Sequence, residues 1–172
     1  MPDDIVIIGA GGFGREVRWL IERINLVHGN TWHLLGYVDK EIALGTNIYG
    51  LPVLGDDSFF KKYKDILHVA IAISSPTIRK KVAERIIQYS NVRFPNLIDP
   101  SVIYSPCLQI GQGNIICCGS NLTVQVRICD FVIINPSCAV GHDSFLNSFV
   151  TLYPKASETA RTGTNVRSPA SL

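Results

Sequence analysis

The sequence predicts two structures joined end to end: a small α/β domain over residues 1–95 and a short parallel β-helix over residues 96–154, followed by an irregular tail at 155–172. Three observations carry this reading. The apolar run Ile5-Val6-Ile7-Ile8 leads straight into Gly9-Ala10-Gly11-Gly12-Phe13-Gly14, and helical spacing follows. Strand-like runs then alternate with helix-like stretches as far as Phe94. From residue 98 to residue 154 the chain counts in sixes, a period that fits neither a helix (3.6) nor a simple strand (2.0).

The elements of the first part follow in order. Ile5–Ile8 is continuously apolar, as a strand buried on both faces should be. Val17, Leu20, Ile21 and Ile24 then recur on one face of a helix of about three turns. Trp32 to Asp39 forms a second strand, and Lys40 to Gly50, rich in turn formers, reads as a loop. Asp56-Asp57-Ser58 starts a helix that carries Phe59 and Phe60. Leu67 to Ile73 is a third buried strand. Ser74-Ser75-Pro76 caps a helix with Ile78, Val82, Ile86 and Ile87 on one face. Val92-Arg93-Phe94 is a short fourth strand, and the boundary falls near Pro95-Asn96. Strands and helices alternating at these lengths make a parallel sheet.

In the second part the aliphatic series is Ile98, Ile110, Ile116, Leu122, Ile128, Ile134, Val140, Leu146 and Leu152, broken only by Tyr104. Two positions earlier stand Leu108, Asn114, Ser120, Val126, Val132, Cys138, Ser144 and Val150, which are smaller or apolar. Such a hexad repeat is the mark of a parallel β-helix in which residues about 18 apart stack, here about three coils tall. After Pro154 the slots at 158, 164 and 170 hold Glu158, Thr164 and Ala170, so the register is expected to fail.

Composition narrows the function classes. With 47% hydrophobic residues the 172-residue chain can build a core in one domain or two small ones. A net charge of +2, with no basic run beyond Arg79-Lys80-Lys81 on a solvated helix face, argues against a nucleic-acid partner. No apolar stretch reaches the ~18 residues of a membrane span. The start at Pro2-Asp3-Asp4 has no signal-peptide character. Five cysteines, an odd number, point to a reducing compartment, the cytoplasm by default. No two of Cys107, Cys117, Cys118, Cys129 and Cys138 stack in an 18-residue coil, since Cys129 lies over Gly111 and Cys138 over Ser120. No metal is therefore expected.

Two constellations can carry chemistry. The first is Gly9-x-Gly11-x-x-Gly14 between a strand and a helix, with Asp39 at the end of the second strand. Glycines bring backbone amides close to a phosphate at a helix N-terminus, and an acid at that place can bind ribose hydroxyls. The ligand is expected to bear a nucleotide, either a dinucleotide or a nucleotide sugar. The second is Gly141-His142-Asp143 at a turn of the repeat. Histidine as a residue type titrates near ~6.5 and suits a general base. Asp143 could orient the ring, but neighbours on a straight strand point apart, so the geometry requires a bend. His28, His33 and His68 have no comparable setting and read as structural or solvated. No Gly-x-Ser-x-Gly elbow, His-Glu-x-x-His or phosphate-loop lysine motif is present.

These residues carry a family resemblance. Ile7-Ile8-Gly9-Ala10-Gly11-Gly12-Phe13-Gly14, Gly36-Tyr37-Val38-Asp39, Ile134 to Asp143 and Phe149 to Pro154 resemble the sialic acid and sugar O- or N-acetyltransferases of the hexapeptide class, over roughly residues 4–154. The resemblance implies a Rossmann-like N-terminal domain that binds a nucleotide sugar and a left-handed β-helix that trimerises, with acetyl-CoA as co-substrate. It implies His142 as general base with Asp143 assisting, and Asn135 at the acetyl-CoA site. It also implies substrate contacts at Gly9, Gly11, Gly12, Gly14, Asp39, Lys40, Ala72 and Ile73. The acceptor would be an amino or hydroxyl group on a nucleotide-linked sugar or on sialic acid. The family usually continues for several coils beyond the segment matching Pro154. A competing reading is therefore a catalytically impaired nucleotide-sugar-binding module with a truncated β-helix. A dinucleotide-dependent oxidoreductase would rest on the glycine motif and Asp39 alone.

Overall fold

A computed structural model describes residues 1–158, 161–162 and 165–166. The chain divides into two compact units, Met1–Ser74 with Ile78–Pro95, and Ser75–Thr77 with Asn96–Leu172.

The first unit is built on a four-stranded parallel sheet. Strands β1 (Asp3–Ile8), β2 (Trp32–Val38), β5 (Leu67–Ile71) and β6 (Val92–Arg93) run in the order β2-β1-β5-β6. Ile5, Val6 and Ile7 are fully buried, as the unbroken apolar run requires. Helix α1 (Gly12–His28) buries Gly14, Val17, Leu20, Ile21 and Ile24. It runs 17 residues, longer than the expected three turns. Within the expected loop after β2, a small antiparallel hairpin forms from β3 (Asn47–Ile48) and β4 (Leu51–Pro52). Helix α2 (Ser58–Lys62) is one short turn that buries Phe60.

Helix α3 (Pro76–Ile86) turns a different face inward from the one the periodicity suggested. Arg79, Val82, Ala83 and Ile86 are buried, while Ile78 and Ile87 are exposed. Arg79 therefore does not belong to a solvated basic face. Its guanidinium donates to the carbonyls of Ile73 (2.7 Å) and Ser74 (3.0 Å), which satisfies a charge that would otherwise be costly to bury. Those carbonyls follow β5, so the arginine fixes the backbone where that strand ends.

The second unit is a left-handed parallel β-helix of two-residue strands on three faces. One face stacks Leu97–Ile98, Ile115–Ile116, Ile133–Ile134, Thr151–Leu152 and Asn165–Val166. The second stacks Ile103–Tyr104, Asn121–Leu122, Ala139–Val140 and Ser157–Glu158. The third stacks Gln109–Ile110, Arg127–Ile128, Phe145–Leu146 and Arg161–Thr162. The hexad slots fill the core, where Ile116, Leu122, Ile128, Ile134, Val140, Leu146 and Leu152 are buried. Fully burying such an aliphatic side chain contributes about 1.5–3 kcal/mol. The smaller slots satisfy their polar atoms internally. Asn114 Oδ1 accepts the Val132 N–H (2.7 Å), and Ser120 Oγ accepts the Cys138 N–H (3.2 Å).

Strand pairing continues into the tail expected to be irregular. Ser157–Glu158 pairs at the regular spacing, but Leu146 pairs with Thr162 and Leu152 with Val166. Offsets of 16 and 14 residues replace 18, so a search at fixed sixes looks past these strands. The expected aliphatic slots at Thr164 and Ala170 lie outside the described residues.

Candidate active site

In the α/β unit the chain crosses from β1 through α1 to β2, while β5 lies on the other side of β1. Ligands in open parallel sheets bind at such a point, outside the carboxyl ends of the strands. Gly9 sits there at φ +96°, and a Cβ on it would stand 3.0 Å from the Ala72 carbonyl oxygen. Gly14 allows the helix to sit on the strand end: a Cβ there would lie 2.0 Å from the Gly9 carbonyl oxygen. Gly11 and Gly12 have open space where a side chain would go. Gly11 caps α1 without a side-chain hydrogen bond, and no acid occupies the first turn, which leaves the helix N-terminus electropositive.

Asp39 is tied to this loop. Its Oδ2 accepts the Ala10 N–H (3.0 Å) and its Oδ1 accepts the Glu41 N–H (2.9 Å). The carboxylate thus holds the glycine turn against the end of β2. Ala72 and Ile73 meet Gly9 from the other side, and the Ala72 N–H donates to the Ile8 carbonyl (2.9 Å). Lys40 is exposed and paired with Glu41 (3.3 Å). A hollow of about 460 Å³ begins at Asp39 and Lys40 and is walled by Leu44, Leu54, Ser58 and Phe59. Leu44 and Leu54 escaped sequence reasoning because they sit in or beyond a stretch with no periodicity, and Phe59 was read only as a helix residue.

In the β-helix, His142 and Asp143 occupy the turn between Ala139–Val140 and Phe145–Leu146. His142 Nδ1 and Asp143 Oδ2 are 2.9 Å apart, and both side chains are exposed, at 73% and 68%. The bend that adjacent residues need is present: Asp143 has φ +60°. This is a property of the repeat, because Gly113, Gly119, Gln125, Phe131, Ser137, Phe149 and Lys155 also have positive φ. The position six residues before or after each is again left-handed. Gly113 and Gly119 were the sequence signal for it, and they lie in phase with Asp143.

Beside Asp143 lies a hollow of about 390 Å³ lined by Cys107, Gln109, Gln125, Arg127 and Phe145. Cys107, Gln125 and Asp143 are stacked at 18-residue intervals, a column that the repeat made readable but that was not singled out. The Ser105 hydroxyl, 2.8 Å from the Cys107 sulfur, holds that exposed thiol below the usual thiol range, and a Gln125 backbone contact adds to it. Asn135 stands at the preceding turn of the coil and not at that of His142. Its side-chain amide donates to the Leu152 carbonyl (2.7 Å).

Comparison with known proteins gives the following likenesses. Residues 4–86 match the PglD N-terminal domain. Among solved structures, the chain is similar to the acetyltransferase domain of PglB from Neisseria gonorrhoeae FA1090 in complex with acetyl coenzyme A. That match has 24% identity over 95% of this chain and 80% of that one, with a TM-score of 0.77. WeeI from Acinetobacter baumannii AYE matches at 26% identity over 93% of this chain and 77% of that one, TM-score 0.78. A mutant of GDP-perosamine N-acetyl transferase from Caulobacter crescentus, in complex with CoA and GDP-perosamine, matches at 18% identity over 96% and 90%, TM-score 0.58. No curated protein sequence matches the chain. Residues 4–86 thus match the PglD N-terminal domain, and the structural likeness gives the chain the fold of these proteins, an α/β unit followed by a β-helix. Among the described residues, no helix is long and apolar enough to cross a membrane.

Proposed function

We propose that this chain is an acetyl-CoA-dependent acetyltransferase that acts on an amino or hydroxyl group of a nucleotide-linked sugar or sialic acid, with His142 as general base. The observation that carries the reading is the contact between His142 Nδ1 and Asp143 Oδ2 at 2.9 Å. A carboxylate only accepts, so it fixes the hydrogen on Nδ1 and leaves the Nε2 lone pair free. Nε2 takes the proton from the acceptor nitrogen or oxygen as that atom attacks the thioester carbonyl. The bond to sulfur then breaks, and the coenzyme A thiolate leaves and is protonated.

In the α/β unit, the glycine turn and the open N-terminus of α1 would hold the phosphates. The hollow at Asp39 and Lys40 would take the nucleoside. Several structures similar to this chain support the donor assignment, since their own complexes contain acetyl coenzyme A or CoA. Assembly as a homotrimer, a cytoplasmic location and donor contact at Asn135 belong to the same proposal.

The test is acetyl transfer followed by mass spectrometry, with acetyl-CoA and a panel of UDP- and GDP-linked amino sugars and sialic acid. A positioned base contributes about 10²–10⁴-fold, so His142→Ala should slow turnover by that factor while nucleotide-sugar binding persists. Undiminished turnover in that variant would remove His142 from the chemistry. No product from folded wild-type protein that still binds a nucleotide sugar would favour the binding-module reading.

A further inference from the structure

The α/β unit has a second hollow, of about 600 Å³, which the glycine turn and Asp39 do not line. Its walls are Arg15, Arg18, Trp19 and Glu22 on one face of α1, and Tyr49 at the tip of the β3–β4 hairpin. A volume in this range accommodates a small organic ligand.

The chemistry of the walls is specific. The Arg15 guanidinium lies 5.8 Å over the Tyr49 ring, and that of Arg23 lies 5.2 Å over the Trp19 ring. Trp19 and Tyr49 are both exposed large aromatics, at 52% and 76%. Glu22 is neutralised by Arg18 at 2.7 Å, and Arg18 also donates to the Tyr49 carbonyl. Arg15 keeps its charge, in a first helical turn that holds no acid. Tyr37 is fully buried beneath α1, and Arg18 stands beside its hydroxyl.

Exposed aromatic faces, stacked guanidinium planes and an unpaired arginine suit a ligand with a flat aromatic ring and an anionic group. Bases stack on such rings and on arginine planes, and guanidinium is the side chain best fitted to phosphate. We propose that this hollow is a second nucleotide site, separate from the one at the glycine turn. Trp19 and Tyr49 stack the base, Arg15 takes the phosphate, and the Arg18–Glu22 pair serves the ribose side. It stands or falls independently of acetyl transfer.

The test uses the intact chain and its tryptophan emission, with ADP, inorganic phosphate and glucuronate as probes. ADP should quench the wild-type emission. Trp19→Phe, a change at an exposed position, should abolish the quenching. Arg15→Ala should weaken the response at least tenfold, whereas Asp39→Asn, at the glycine turn, should leave it unchanged. Quenching that persists in Trp19→Phe, or that disappears in Asp39→Asn but survives in Arg15→Ala, would overturn the proposal. So would the absence of quenching at millimolar ADP, or an equal response to phosphate alone. A response to glucuronate without one to ADP would reassign the hollow to an acidic sugar and overturn the nucleotide assignment.

Discussion

Gly9 and Asp143 both hold the backbone at positive φ, +96° and +60°, but for different reasons. At Gly9 the conformation is singular. The Ala72 carbonyl closes in from one side, and the neighbouring Gly14 must admit the Gly9 carbonyl itself, so residue type is dictated by contact. At Asp143 the conformation is one member of a series that recurs every six residues and is filled by Gln, Phe, Ser, Lys and Gly as well. The α/β unit obtains its site from a few positions with no substitute. The β-helix supplies the bend every six residues from Gly113 to Lys155 and leaves the choice of side chain open.

The largest expected effect tests how local the β-helix is. Leu146 is fully buried one rung above Ile128, and it follows the Asp143 turn by three residues. Leu146→Ala should cost about 2–5 kcal/mol. Because each coil contacts only its neighbours, hydrogen exchange should accelerate at Arg127–Ile128 and Phe145–Leu146 and not at Ile5–Ile8. Equal acceleration in both units would show that the repeat does not confine the damage.

Gly14→Ala addresses the other side of the comparison. Its Cβ would lie 2.0 Å from backbone, a contact no rotamer can relieve. Displacing α1 should cost about 1–3 kcal/mol, read as a lower melting temperature with weaker nucleotide-sugar binding. Unchanged stability and binding would mean that the helix start is not clamped as described.

A smaller effect comes from the far end of the same sheet. Asp4 accepts hydrogen bonds from the Tyr63 hydroxyl and from His33 (2.7 Å). The Tyr63 bond, then His33, hold the Asp4 carboxyl below its ordinary 3.8, while burial and the Asp4 charge push the Tyr63 phenol up to about 12. The carboxyl contributes stability that is present above its unfolded value and lost as pH falls through the lowered one. The phenol contributes stability that is present below about 10 and lost as pH rises toward about 12. Tyr63→Phe should flatten both arms of the stability profile in a pH-dependent denaturation series. Two unchanged arms would assign the pH dependence elsewhere.

The same contrast explains what could be read in advance. The hexads announced the β-helix because one residue in six must be aliphatic in every coil, and the 18-residue stacking of Cys129 on Gly111 and Cys138 on Ser120 followed from it. Strand pairing beyond Pro154 was hidden because its spacing contracts. Arg79 was misread because charge normally means solvent, and bonds such as those to the carbonyls of Ile73 and Ser74 make its burial tolerable. The glycine turn and Asp39 were legible as a motif. That Asp39 spends an oxygen on the Ala10 amide was not, since a sequence shows which groups are present but not which are already bonded.

The smallest expected effect separates scaffold from chemistry within one repeat. Ser137 and Asp143 occupy the same phase, at φ +61° and +60°. A left-handed L-residue costs about 1–2 kcal/mol, and glycine gives back about 0.5–1 kcal/mol in chain entropy. Ser137→Gly should therefore stabilise the chain by no more than about 1.5 kcal/mol. Asp143→Gly should gain less still, because aspartate tolerates this region better than serine. The two variants should diverge in turnover: unchanged for Ser137→Gly, and slower by about tenfold, or about 1.4 kcal/mol on the barrier, for Asp143→Gly. If both slow equally, the turns matter to catalysis through backbone shape. If only Asp143→Gly slows, the repeat supplies the bend and the Asp143 carboxylate acts on the chemistry through His142.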